Sequence, residues 1–126
     1  MKKAALAALL LLAPVPVQAQ DLIGAYVAYI GRDDLFSSKG VRLTEPWQVL
    51  RQDRANFHRF GISQPGDEWD PFFGDANNRA AMERMIRNGG IEPAARRLIL
   101  NGGATVFVRI FGRHGTGDRV NVTVTR

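Results

Sequence analysis

The chain reads as a small α+β domain: a three-stranded antiparallel or mixed sheet with helices packed on one face. Three observations carry that expectation. A run rich in β-formers stands near the start, two alternating apolar runs stand at the end, and helix-period patterns with recognisable starts and stops fill the middle. The predicted order is strand, three helices, hairpin.

Residues 23–30 place Tyr26, Ala28 and Ile30 on one side and Ala25, Val27 and Tyr29 on the other. This predicts a strand largely covered on both faces and closed by Gly31. Residues 32–43 carry turn chemistry in Asp33, Asp34, Ser37, Ser38 and Gly40, with Phe36 and Leu43 to pin the connection. Thr44 is the expected N-cap of the longest helix, with Glu45 and Pro46 in its first turn. That helix should run to about Phe60 and stop at Gly61. Residues 64–74 form a loop with Pro65, Gly66, Pro71 and Gly74.

Asp75 should cap a second helix over residues 76–88, with Ala81, Met82, Met85 and Ile86 on one side and Arg79, Glu83, Arg84 and Arg87 largely elsewhere. Asn88-Gly89-Gly90 ends it, and Asn101-Gly102-Gly103 ends a third helix that begins at Pro93. Residues 104–111 then alternate, with Val106, Val108 and Ile110 on one face. Residues 112–117 turn the chain. Residues 119–125 alternate again, with Val120, Val122 and Val124 inward and Asn121, Thr123 and Thr125 outward. The first strand can pair with either strand of this hairpin.

The first 19 residues read as a cleavable secretory signal. Lys2 and Lys3 precede an apolar run over residues 4–12, Pro14 and Pro16 end it, and Val17-Gln18-Ala19 offers a cleavage site after Ala19. The apolar run is too short to cross a bilayer, which takes roughly 20 residues. No Cys follows for a lipid anchor, and no Arg pair marks a twin-arginine signal. The expected location is the periplasm or the medium. Residues 20–126 are then one domain, with no later segment able to span a membrane.

Cysteine is absent, which excludes disulfides, thiolate metal sites and a cysteine nucleophile. The formal charge of +5 becomes +3 once Lys2 and Lys3 are removed, and Lys39 is then the sole lysine among many arginines. An Arg-rich exported domain favours an anionic envelope component or an envelope protein as partner. The compartment disfavours nucleic acid, and no cofactor is expected.

In the long helix, Val49, Leu50, Phe57 and Phe60 form an apolar face, and Asp53 falls in its middle. A carboxylate there needs a partner. The expected one is an Arg, or a set of backbone N–H groups, from another segment. Trp47, Arg51, Arg54 and His58 lie on an adjacent stripe and are the candidate anion- or partner-binding residues. Asp67, Glu68, Asp70 and Asp75 cluster with Trp69, Phe72 and Phe73. Their spacing departs from the EF-hand pattern, so the expectation is an ordered loop without metal. His114, in the Gly-rich turn, is a candidate contact residue. No nucleophile elbow, zinc-binding helix motif or phosphate-binding loop is present.

These features favour a non-enzymatic binding module. One alternative is a small acid–base enzyme using Asp53 or His58, which needs a cleft beside Asp53. Another is a structural subunit that oligomerises through the edge of its final strand.

The stretch Leu50-Arg51-Gln52-Asp53-Arg54-Ala55-Asn56-Phe57-His58-Arg59-Phe60-Gly61, followed by Pro65-Gly66-Asp67 and Phe72-Phe73, resembles a family of small uncharacterised exported proteins of proteobacteria. The resemblance runs through most of the chain after residue 19. It implies export and brings no activity, so it assigns no catalytic or binding residue.

Overall fold

The β-formers at the two ends of the domain meet in one sheet. The computed structural model describes residues 20–126. The signal expected over residues 1–19, with its cleavage point, lies outside them. Strand β1 (Asp21–Tyr29) pairs antiparallel with β2 (Thr105–Arg113), and β2 pairs antiparallel with β3 (Thr116–Thr125). The sheet is therefore wholly antiparallel, in the order β1-β2-β3. The central place falls to the strand with the most continuous inward apolar set: Val106, Val108 and Ile110 are all fully buried.

Helix α1 (Pro46–Ala55), α2 (Ala76–Ala80), α3 (Met82–Gly89) and α4 (Pro93–Asn101) pack on one face of this sheet. Tyr26, Ala28, Val106, Val108, Ile110 and Val120 meet Val49, Leu50, Phe73, Met82, Met85 and Ile99 to form the core. The expectation that β1 is covered on both faces is corrected here. Every helix lies on the same side, so Tyr26 is buried while Tyr29 is 37% exposed.

The long helix starts one residue later than its expected cap. Glu45, not Thr44, is the N-cap, because the Gln48 side-chain oxygen reaches back to accept the N–H of both Thr44 and Glu45. Pro46 then suits the first helical position. The Glu45 carboxylate is left for Arg96 of α4, 3.1 Å away. The last turn widens into a π-helix over Asn56–Phe60 before Gly61 stops it at φ 66°. That widening breaks the 100° register. Phe60 swings out of the predicted apolar face and is 42% exposed.

The second predicted helix is two. Asp75 caps α2 as expected, accepting the N–H of Asn77 and Asn78. The Ala81 N–H then turns to Asn78 O, three residues back, which tightens the chain and re-aims it into α3. Arg79, assigned to a polar side, is instead buried and donates to Phe73 O and Gly74 O.

The hairpin strands run further into the Gly-rich segment than the sequence indicated. Arg113 pairs with Thr116, so the turn is only His114-Gly115, both at positive φ (52° and 77°). Gly117 lies inside β3, where a Cβ would stand 2.2 Å from the Phe72 ring. That glycine is there for close packing rather than for turning the chain.

The outer edge of β1 is covered by the chain itself. Glu68 N–H donates to Val27 O, while the Glu68 and Asp67 carboxylates accept the N–H of Val27 and Tyr29 at 2.7 and 2.8 Å. Side chains thus stand in for a neighbouring strand. Among the described residues no helix is long and apolar enough to cross a membrane.

Candidate functional site

Asp53 is buried (1% exposed), as its position on the apolar face requires. Its partner comes from an unexpected place. It is Arg54, the next residue of the same helix, whose Nε donates to Asp53 Oδ2 at 2.8 Å. Arg54 is itself fully buried. Its guanidinium lies between two aromatic rings, 3.9 Å from the Tyr26 centroid and 4.8 Å from that of Phe57. Stacking of this kind suits a weakly hydrated planar cation. Arg54 Nη1 donates to Glu68 O at 2.9 Å and to Asp70 Oδ1 at 3.0 Å.

Asp70 is the second anchor, and it comes from the loop between α1 and α2. Its Oδ1 also meets His58 Nε2 at 2.6 Å, and its Oδ2 accepts the N–H of Phe72 and Phe73 at 2.8 and 2.5 Å. One buried carboxylate therefore fixes helix α1, through Arg54 and His58 four residues apart, to the loop that delivers both phenylalanines to the core. A third buried acid, Asp34, sits in a 3-10 turn over Arg32–Leu35. It accepts the Gly31 N–H and the Asn56 side-chain amide, each at 2.9 Å.

The predicted stripe is thus divided. Arg54 and His58 face inward as structural donors. Arg51 stacks on Trp47 at 4.9 Å on a different part of the helix, with Trp47 packed against the core. The four residues do not form one anion-binding surface. The reason lies in the helix geometry: a residue 100° from a buried Asp53 is still at the margin of the buried face, so Arg54 can turn in.

Burial pushes the Asp53 carboxyl up to about 7, although the Arg54 charge pulls against it. Burial also raises Asp34, against the hydrogen bonds from Asn56 and Gly31. For Asp70 burial acts in the same direction, but the hydrogen bonds from His58, Phe73, Arg54 and Phe72 outweigh it and hold the carboxyl below its usual value. Burial works against the Arg54 charge too, and the Tyr26 hydroxyl, Asp53 and Asp70 more than offset it.

These shifts set a pH dependence. The folded state holds the Asp53 proton more tightly than the unfolded chain does. Its stabilising contribution is therefore full below about pH 4 and is lost as pH rises through about 7, at up to ~1.4 kcal/mol per pH unit. Asp34 has the same sign. Asp70 has the opposite one: its contribution is present above the unfolded value of about 3.9 and lost as pH falls below it. Urea unfolding in pH steps should find the highest stability in mildly acid solution, with Asp53→Asn flattening the decline between about pH 4 and 7. An unaltered slope in that variant contradicts the assignment.

The acidic loop spends its oxygens on the protein itself. Asp67 accepts the N–H of Tyr29 and Gln64, Glu68 that of Val27, and Asp75 caps α2. Among the described residues no group of three His, Asp or Glu side chains could hold a metal ion. Among the described residues are two surface grooves. One, of 610 Å³, runs between the end of α3, helix α4 and β3. The other, of 380 Å³, lies beside the 3-10 turn and α1. Neither is lined by Asp53, Arg54, His58 or Asp70.

The sheet face that carries no helix is open to solvent at several positions. Register places Leu22, Ala25, Val27 and Tyr29 of β1 opposite Phe111, Arg109, Phe107 and Thr105 of β2. These in turn stand opposite Arg119, Asn121, Thr123 and Thr125 of β3. Leu22, Tyr29 and Phe107 are exposed, and Arg109 and Arg119 lie over the rings of Phe107 and Phe111 at 5.8 and 4.7 Å. None of these twelve outward positions is Asp or Glu. Asp67 and Glu68 are bonded to the β1 edge, and at the β3 edge Gln20 links Asp118 to Arg119, its Nε2 donating to Asp118 Oδ2 and its Oε1 accepting from Arg119 Nε. In the sequence only the polar residues of β3 stand out as an exposed sheet face. The missed signal was that Phe107, Arg109 and Phe111 alternate with the buried valines and Ile110.

Fold and site together define a small α+β domain with an internal polar cluster and one uncovered sheet face. No protein-family model, no curated protein and no solved structure matches the chain.

Proposed function

We propose that this protein is an exported, non-catalytic binding module that engages an anionic component of the cell envelope through its uncovered sheet face. The observation that supports this most is the make-up of that face: exposed Leu22, Tyr29 and Phe107, with Arg109 and Arg119 among them and no outward carboxylate. Aromatic rings with arginines are the residue types that carry interface energy. Export rests on residues 1–19 as a signal peptide. An acid–base enzyme using Asp53 or His58 needs substrate access to those groups, yet Asp53 is 1% exposed and the His58 side chain 8%.

Affinity capture from envelope extract with the tagged domain tests the reading, comparing wild type with Arg109→Gln/Arg119→Gln and with Asp53→Asn. The expected result is a ligand retained by wild type and by Asp53→Asn, lost in the double variant and weakened by salt. Retention by the double variant, or loss in Asp53→Asn alone with the fold intact, overturns it.

A further inference from the structure

We infer that the uncovered sheet face docks on the headgroup layer of an anionic phospholipid membrane, lying flat on it rather than inserting a helix. This rests on the binding-module reading above and names the partner.

The first argument is charge complementarity. Arg109 stands on the central strand and Arg119 beside it on β3. The twelve paired outward positions carry no acid, the Asp67 and Glu68 carboxylates are tied to the backbone N–H of Tyr29 and Val27, and Asp118, beside Arg119 in β3, accepts from the Gln20 amide. A guanidinium binds phosphate oxygens in pairs, so exposed Arg109, with half-buried Arg119 beside it whose Nε is bonded to Gln20 Oε1 at 2.6 Å, suits a layer of phosphates.

The second argument is the place of the apolar groups. Leu22 lies at one end of β1 (58% exposed) and Tyr29 at the other. Phe107 is on the central strand and 40% exposed. Along β1 this apolar set spans about 20 Å, and the face is about 10 Å wide across two strand spacings. Tyr and Trp, apolar in body and polar at one end, are the side chains that settle at the boundary between headgroup and acyl chain. Cations and aromatics therefore share one shallow surface. That suits a broad anionic plane better than a compact ligand, which takes a concave pocket. The larger groove reaches this face on the β3 side, where Arg109, Asn121 and Thr123 border it, and leaves Leu22, Tyr29 and Phe107 outside its lining.

Co-sedimentation of the domain with vesicles tests the inference. One set contains phosphatidylglycerol in phosphatidylcholine and the other phosphatidylcholine alone. Wild type should partition onto the anionic vesicles, and the partition should fall as salt is raised. Arg109→Gln/Arg119→Gln should reduce it roughly thirty-fold, the effect of removing two surface cations. Phe107→Thr, which keeps a β-former at an outward position, should reduce it about ten-fold through lost apolar burial. Circular dichroism and thermal unfolding verify that each variant is folded. Absence of binding to either vesicle, equal binding to both, or binding unchanged in the folded double variant overturns the proposal. If the vesicles fail while capture still finds an acidic protein held through Arg109 and Arg119, the membrane inference falls and the binding-module reading stands.

Discussion

Arg54→Met should destabilise the domain by about 3–5 kcal/mol, the cost of breaking a buried ion pair by removing one partner. Methionine nearly fills the space, so the loss reports charge and hydrogen bonding more than a cavity. Arg54 satisfies Asp53, Asp70 and Glu68 O at once and stacks between Tyr26 and Phe57. Without it Asp53 can take up a proton, because its carboxyl already lies near 7. Asp70 has no such escape, since His58 and the N–H groups of Phe72 and Phe73 still favour its ionised form. The variant should therefore be relieved in part by Asp70→Asn. In a double-mutant cycle the two losses should be non-additive by about 1–3 kcal/mol. Urea unfolding measures this. A cost below about 1 kcal/mol, within the range of surface ion pairs, contradicts the role given to Arg54.

Asp70→Ala should cost a similar ~3–5 kcal/mol, but by a different route. It leaves the Arg54 charge with one carboxylate instead of two. It also orphans the N–H groups of Phe72 and Phe73, and each buried unsatisfied donor costs about 1–3 kcal/mol. Both rings belong to the core, and Phe73 packs edge-on to Tyr26. Loosening should therefore spread from residues 64–74 into the sheet. Hydrogen exchange should show the Phe72 and Phe73 amides losing protection first, ahead of Val108 in the central strand. Asp70→Asn, which keeps an acceptor oxygen, should lose less. Uniform loss across the domain, or no local loss at those two amides, contradicts the account of Asp70 as the tie between helix and loop.

The elements were legible in the sequence wherever period and punctuation agreed. Alternation in β2 and β3, the Asp75 cap, and the stops at Gly61, Gly90 and Gly102 all depend on local chemistry, and the structure places them where that chemistry puts them. Three features were not legible, two because a shift in one local backbone hydrogen bond leaves no mark in the residue pattern, and one because it depends on contacts distant in sequence. The π-turn at Asn56–Phe60 leaves no compositional mark, yet it moves Phe60 outward. The break at Ala81 comes from a single tightened hydrogen bond within an otherwise helical pattern.

The third is the site itself. Asp53 stood out because a carboxylate interrupts an apolar face. Asp70 did not, because a carboxylate in a polar loop looks ordinary until Arg54 and His58 are seen to meet it. Arginine reads as a surface residue by default, and only the rings of Tyr26 and Phe57 on either side reveal that this one is enclosed. Residues 50–61 supply Asp53, Arg54, Phe57 and His58 to the cluster. The face proposed to bind lies on other strands.

The account separates an enclosed polar cluster, which holds helix to loop, from an open sheet face, which meets the partner. Amide shift mapping of the isotope-labelled domain during titration with phosphatidylglycerol-containing bicelles tests that separation most directly. The predicted result is a set of shifts centred on Val27, Tyr29, Phe107, Arg109 and Arg119, with Asp53, Arg54 and His58 unmoved. Shifts centred on α1 and the cluster, or no shifts at saturating lipid, would contradict it.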